Sequence, residues 1–226
     1  MSARDEIFAN IRRSLHVNGA EAPRRAAVAD RLARSPSGVI PERGQGGLAI
    51  FKAEAERAAA TLEEVAAADI PQAIAAYLRD HNLPATLRLG ADARLAALPW
   101  AQTPLELRHG PSDGHDLNAA SVAFAGIAET GTLAMVSGAD NPTTLNFLPD
   151  NHLVVLFAQD VVGDMESVFA RLRARYGAGQ APRTLNFITG PSRSADIEQT
   201  LLFGAHGPRR LHIVVVKTVE SKEAVA

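Results

Sequence analysis

The sequence predicts an α/β domain, a mixed sheet flanked by helices in a three-layer sandwich, preceded by a short helix and a linker. Three observations carry that reading. The chain has 226 residues, 46% of them hydrophobic, enough to bury a core in one large domain with an appendage. Short apolar runs of strand length alternate with segments of helical period. The connections between them are short, which suits layered α/β packing better than an all-helical or all-β arrangement.

At the N-terminus, Ile7, Ile11 and Leu15, with Phe8 beside them, share one helical face. Ser2 followed by Asp5 and Glu6 reads as a capped, acidic first turn. A helix is expected over 3–16, making 1–17 an amphipathic segment. Residues 18–47 mix Gly, Pro, Ser and Arg without a period and read as a linker, either disordered or wrapped on a partner. The α/β domain is then 48–226. Leu48, Phe51, Ala55 and Ala59 mark a helix, and a brief apolar alternation follows through Leu62 and Val65. Ile74, Tyr77 and Leu78 put a second helix at 70–81, and 84–89 reads as a strand. Further strands are expected at 105–108, 121–124, 131–136, 152–157, 184–188 and 211–217, with a helix over 164–176.

Composition removes several classes of function. Twenty-three basic and 25 acidic residues leave a formal charge of −2, so nothing suggests a basic field for nucleic acid. The absence of cysteine excludes disulfides, a thiol nucleophile and cysteine-ligated iron–sulfur clusters in this sequence, so no cofactor is expected on the chain itself. The charged N-terminus does not read as a signal peptide, and no stretch reaches the ~20 apolar residues of a spanning helix. The cytoplasm is the default expectation.

Three segments concentrate chemistry-bearing residues. In the first, between two strand candidates, Thr130 and Thr132 offer hydroxyls and Gly131 permits close backbone approach. Glu129 there is a candidate base, nucleophile or hydrogen-bond acceptor. The alternative is a tight turn with a solvated glutamate. In the second, 141–152, Pro149 restrains a loop that places Asn151 and His152 at the mouth of a buried strand. His152 is either an acid or base near neutral pH or a histidine that bonds a neighbouring loop.

The third segment runs from Thr189 through Gly190, Pro191, Ser192, Arg193, Ser194, Asp196 and Glu198, and resumes at Gly204-Ala205-His206-Gly207-Pro208. Its glycines and serines can present N–H groups and hydroxyls to an anion, Arg193 supplies a planar fork, and Asp196 with Glu198 can orient it. A well-capped structural turn is the alternative, and His206 carries the same ambiguity. Gly44-Gln45-Gly46-Gly47 is not a phosphate loop, since no Lys-Ser/Thr follows, and the seven histidines lack the spacing of a zinc site. No metal site is expected. Trp100 reads as a core or interface residue.

The 127–132 segment, Leu148-Pro149 with His152, and the two-part 189–198 and 204–208 segment together resemble the LUD-domain family, within it the group concerned with lactate utilisation. The N-terminal helix and linker resemble the family as well. The resemblance implies a fold like that of sugar-phosphate isomerases, acyl-CoA transferases and formyltetrahydrofolate cyclo-ligases. It implies a role in oxidising L-lactate to pyruvate beside partner proteins that carry the iron–sulfur clusters.

On that reading the ligand is a small anion held by Gly190, Pro191, Ser192, Arg193, Ser194, Asp196, Glu198 and Gly207, with Thr130, Gly131 and Thr132 contributing. Glu129 and His206 are then the candidate catalytic groups. Neither the residues nor the resemblance assigns a catalytic step. The rival readings are an autonomous transferase or cyclo-ligase acting on a phosphorylated or CoA-linked substrate, and a ligand-binding sensor or assembly protein.

Overall fold

The computed structural model describes residues 2–34, 38–40, 42–177, 179–194, 202–204 and 206–217, without the side chains of 43 and 44. Two expected site residues, Asp196 and Glu198, lie outside the described residues. The chain divides into two compact units at residues 39 and 40.

In the first unit, α1 (Ala3–Ser14) starts at the expected capping box. The Ser2 hydroxyl accepts from the Asp5 amide at 3.2 Å, and the Asp5 carboxylate accepts from the Ser2 amide at 3.1 Å. Its apolar stripe of Ile7, Phe8, Ile11 and Leu15 is exposed. The stretch 18–47, read from its composition as an aperiodic linker, contains a second helix, α2 (Ala22–Arg34). Alanine is the reason. Ala22, Ala26, Ala27, Ala29 and Ala33 are strong helix formers that leave little apolar periodicity to detect, and Pro23 sits in the first turn, where it costs no hydrogen bond.

The second unit is built on a six-stranded, wholly parallel sheet. Its strands are β1 (Thr61–Val65), β2 (Thr86–Leu89), β3 (Glu106–His109), β4 (Asn118–Val122), β7 (Asn151–Phe157) and β12 (Arg210–Val216), in the order β1-β12-β7-β4-β2-β3. A second sheet, in the order β8-β5-β6-β9, carries the antiparallel pairings. It comprises β5 (Ala125–Ile127), β6 (Thr132–Val136), β8 (Val161–Val162) and β9 (Leu185–Ile188). A short ribbon pairs β10 (Arg193–Ser194) with β11 (Leu202–Phe203).

The central strands β7 and β12 are covered on both faces, which is why they read as almost unbroken apolar runs. On one face, α4 (Ile70–Asp80) and α5 (Ala93–Ala96) pack Ile70, Ile74, Leu78 and Leu95 against Leu153, Val155, Val214 and Val216. Trp100 joins this core and donates its indole N–H to the Leu95 carbonyl at 2.7 Å. The opposite face is covered by α3 (Leu48–Arg57), through Phe51 and Ala55, and by Leu133 and Met135 of the second sheet. The far side of that sheet is closed by α6 (Met165–Tyr176) through Val168 and Leu172. Each fully buried aliphatic side chain here is worth about 1.5–3 kcal/mol of transfer free energy. The α/β fold with a sheet flanked by helices is the expected one; the mixed strand directions are divided between a wholly parallel sheet and a second sheet with antiparallel pairs, which forms much of one covering layer, so α6 lies one layer further out. No described helix is long and apolar enough to cross a membrane.

Candidate functional site

At the amino ends of β7 and β12 a cleft of about 290 Å³ opens between the loop after β9, the segment before β12 and the 3₁₀ turn Thr143–Asn146. Gly190 makes the loop possible. Its φ of +73° is left-handed, and a β-carbon there would stand 2.0 Å from the Ala58 carbonyl oxygen, so only glycine lets the loop seat on the end of α3. The two parts of the third sequence segment are then zipped together. The Ser192 amide donates to the Pro208 carbonyl at 2.8 Å, the Gly204 amide to the Ser192 carbonyl at 2.9 Å, and Arg193 pairs with Phe203.

This brings Gly190, Pro191, Ser192, Arg193, His206 and Gly207 to the cleft wall. The Ser192 amide is committed to Pro208, so the backbone anion nest expected there lacks that member. Ser194 pairs with Leu202 in the ribbon and does not line the cleft. Glu129 is also elsewhere: its carboxylate accepts from the Met165 amide at 3.0 Å, at the first turn of α6, where a negative charge is stabilised by the helix dipole. Gly131 packs its bare α-carbon on the backbone of α3. Thr130 and Thr132 stop short of the wall but connect to it. The Thr130 and Thr132 hydroxyls are 2.7 Å apart, and Thr132 lies 2.7 Å from the hydroxyl of Thr189, which does line the cleft.

The floor is formed by His152, a candidate from the sequence, and Asn146, whose part had no signal there. His152, 1% exposed, holds its Nε2 2.7 Å from the Ser121 hydroxyl of β4, and its Nδ1 has no hydrogen-bond partner among the described residues. Asn146, also 1% exposed, has a partner for neither its amide oxygen nor its amide nitrogen among the described residues. Of five orphaned buried side-chain atoms among the described residues, three belong to these two cleft residues. Orphaned buried polar atoms cost free energy and are rare in native folds, so their clustering marks this cleft as the candidate site. Burial holds the His152 imidazole neutral, with its pKa pushed down to about 3.

The described lining residues include Arg193 and two histidines but no carboxylate. A neutral imidazole nitrogen, an amide with one donor and one acceptor face, and a guanidinium at the rim suit a small anion that also bears a hydroxyl or carbonyl. Among the described residues no group of three or more His, Asp or Glu is placed to hold a metal ion.

If Asn146 is kept for a ligand, it should be a liability in the empty protein. Replacing it by leucine, of similar volume, is expected to raise the unfolding free energy by about 1–2 kcal/mol, because two unpaired atoms disappear. Urea unfolding at pH 7 measures this, and a destabilised N146L would show that Asn146 is a satisfied structural residue.

The fold is that of an α/β domain with a cleft at the amino ends of two parallel strands. Residues 120–216, from within β4 to the end of β12, match the LUD domain family, and every described residue lining the cleft lies inside that stretch. The chain is 33% identical over 126 residues to the Lactate utilization protein C of Geobacillus thermodenitrificans, covering 52% of each protein. It is 37% identical over 91 residues to that of Geobacillus sp. WCH70, covering 40% of this chain and 38% of the relative, and 36% identical over 92 residues to that of Halalkalibacterium halodurans, covering 40% of each. The chain thus spans about half the length, or less, of the curated relatives it matches. A crystal structure of a DUF162 family protein from Deinococcus radiodurans shares the fold, with a TM-score of 0.55 and 24% identity over 74% of this chain and 94% of that one.

Proposed function

We propose that this protein is a component of a lactate-utilisation system, and that the cleft between the 189–193 loop and the 206–208 segment binds a small 2-hydroxy or 2-oxo carboxylate. One observation carries the reading: the stretch matched by the LUD domain contains a cleft with a rim cation and unpaired polar atoms on its floor, and relatives aligned with the chain are named for lactate utilisation.

L-Lactate and pyruvate fit the chemistry. Arg193 would grip the carboxylate with its planar fork, and Asn146 and the neutral His152 would meet the hydroxyl or carbonyl oxygen beside it. A cleft of about 290 Å³ is small, as a three-carbon acid requires. With no cysteine in the chain, the two electrons of lactate oxidation would pass to partner proteins carrying iron–sulfur clusters, and this chain would bind and present the ligand or join the assembly.

Titration calorimetry with L-lactate and with pyruvate tests the cleft. Binding of one of them is expected, weakened at least about tenfold in R193Q. No heat with either acid would sink the ligand assignment. Growth on L-lactate of a strain lacking the gene tests the pathway separately, and normal growth with no paralogue present would sink that.

A further inference from the structure

A second cleft, of about 280 Å³, lies at the amino ends of β1 and β12 and shares only Pro191 and Leu211 with the first. Thr61, the first residue of β1, is exposed and lines it. Parallel register sets Thr61 beside His212 of β12, and the threonine hydroxyl lies 2.8 Å from His212 Nδ1. On its other side, His212 Nε2 lies 3.0 Å from a carboxylate oxygen of Glu63, two residues along β1 on the same face.

That pair of contacts settles the tautomer. An ionised carboxylate only accepts, so Nε2 carries the proton and Nδ1 presents its lone pair to the Thr61 hydroxyl. Tyr77 stacks on the His212 ring at a centroid distance of 4.0 Å and keeps it buried. Burial lowers the His212 pKa, against the opposing pull of Glu63, and so favours the neutral imidazole that a base requires.

Nucleophile, base and orienting carboxylate within hydrogen-bond reach of one another, beside a cleft, form the arrangement that activates a hydroxyl. Two guanidinium side chains, those of Arg209 and Arg210, line the surrounding wall with His81, and no described lining residue is a carboxylate. Tyr77 and Arg210 line this cleft together with Thr61.

We infer that this second cleft is an acyl-transfer site, in which Thr61 is the nucleophile, His212 its base and Glu63 the residue that positions His212, acting on ester or thioester substrates with an anionic acyl group. Thr61 Oγ1 bonds to the acyl carbon as its proton passes to His212 Nδ1. The bond from the acyl carbon to the leaving oxygen or sulfur then breaks, and that atom takes the proton from His212. Water repeats the sequence on the Thr61 ester, with His212 again the base, and releases the carboxylic acid and the free hydroxyl. Arg210 and the Tyr77 phenol are placed to stabilise the oxyanion.

The test uses the full chain with two activated esters, 4-nitrophenyl acetate and the mono-4-nitrophenyl ester of glutaric acid. Nitrophenolate release with a mass increase mapped to the peptide containing Thr61 is expected, and the glutarate ester should react about tenfold faster, a preference lost in R210Q. T61V, nearly isosteric at an exposed strand position, should lose the adduct and about 100-fold in rate. E63Q should lower kcat at unchanged KM and an unchanged melting temperature, as expected of a positioning group. An adduct absent from the Thr61 peptide, or turnover surviving in T61V, would overturn the assignment, and neither outcome bears on lactate binding in the first cleft.

Discussion

Gly131→Ala is expected to destabilise the second unit by about 3–5 kcal/mol. Two costs add. Gly131 has φ +63°, where a β-carbon clashes with its own backbone. The larger cost is external: the new carbon would sit 2.2 Å from the Ala55 amide nitrogen and 2.5 Å from the Glu54 carbonyl carbon, both backbone atoms of α3. Backbone cannot rotate away as a side chain can, so either α3 lifts off the sheet or the β5–β6 turn distorts, and both loosen the core around Phe51 and Ala55.

Gly110 supplies the control. Its φ is +96°, but a β-carbon there meets nothing within 4 Å, so Gly110→Ala should cost only the conformational part, about 1–2 kcal/mol. Urea unfolding of both variants measures the difference, and equal losses would show that the approach to α3 does not matter. The sequence reading had given this glycine to ligand binding. Its position shows a residue required by packing at the contact between the second sheet and α3.

Acidification from pH 7 to pH 5 is expected to cost about 2 kcal/mol through His152 alone. The sign follows from the two states. The native imidazole, buried without a counter-charge, has its pKa pushed down to about 3, whereas in the unfolded chain it returns to about 6.5. Above pH 6.5 both forms are neutral and His152 contributes no pH dependence. Below it the unfolded chain binds a proton that the native state refuses, and stability falls by about 1.4 kcal/mol per pH unit until the native pKa is reached.

His152→Gln keeps a polar group toward Ser121 and cannot titrate, so its unfolding free energy should fall by about 2 kcal/mol less between pH 7 and pH 5. Urea unfolding of both proteins at the two pH values measures this. An identical pH dependence would mean that His152 is charged or solvated in the native protein. The same measurement bears on the cleft, because an imidazole that stays neutral meets a ligand as a hydrogen-bonding group and does not supply the positive charge.

The parts of the site that were legible in the sequence are those contiguous along the chain. Gly190, Pro191, Ser192 and Arg193 announce themselves because a left-handed corner, a proline and hydrogen-bonding side chains fall within four residues. Their partners His206 and Gly207 sit in a second glycine-flanked corner before a strong apolar run. Asn146 was not legible: an asparagine in a polar loop is ordinary until burial strips it of partners. Ser121 gave no signal either, since it lies 31 residues from His152 and reaches it only because β4 and β7 are neighbours.

Glu129 shows the reverse case, a conspicuous residue that the fold places away from the cleft. A carboxylate between two strands, next to Thr-Gly-Thr, has the appearance of a catalytic group, but α6 brings its amide-bearing first turn from 36 residues away. Thr61 carried no mark at all, because the relay through His212 to Glu63 exists only in the pairing of β1 with β12.

Period and composition decided which segments of this chain become strands and helices, because alternation of apolar and polar side chains and local caps act within a few residues. They also excluded thiol chemistry. Strand order, the second sheet beneath the first, and the two clefts at the amino ends of the parallel strands came only from tertiary structure. Burial and register bring together residues distant in sequence, and the desolvation of His152, Asn146 and His212 has no local signature.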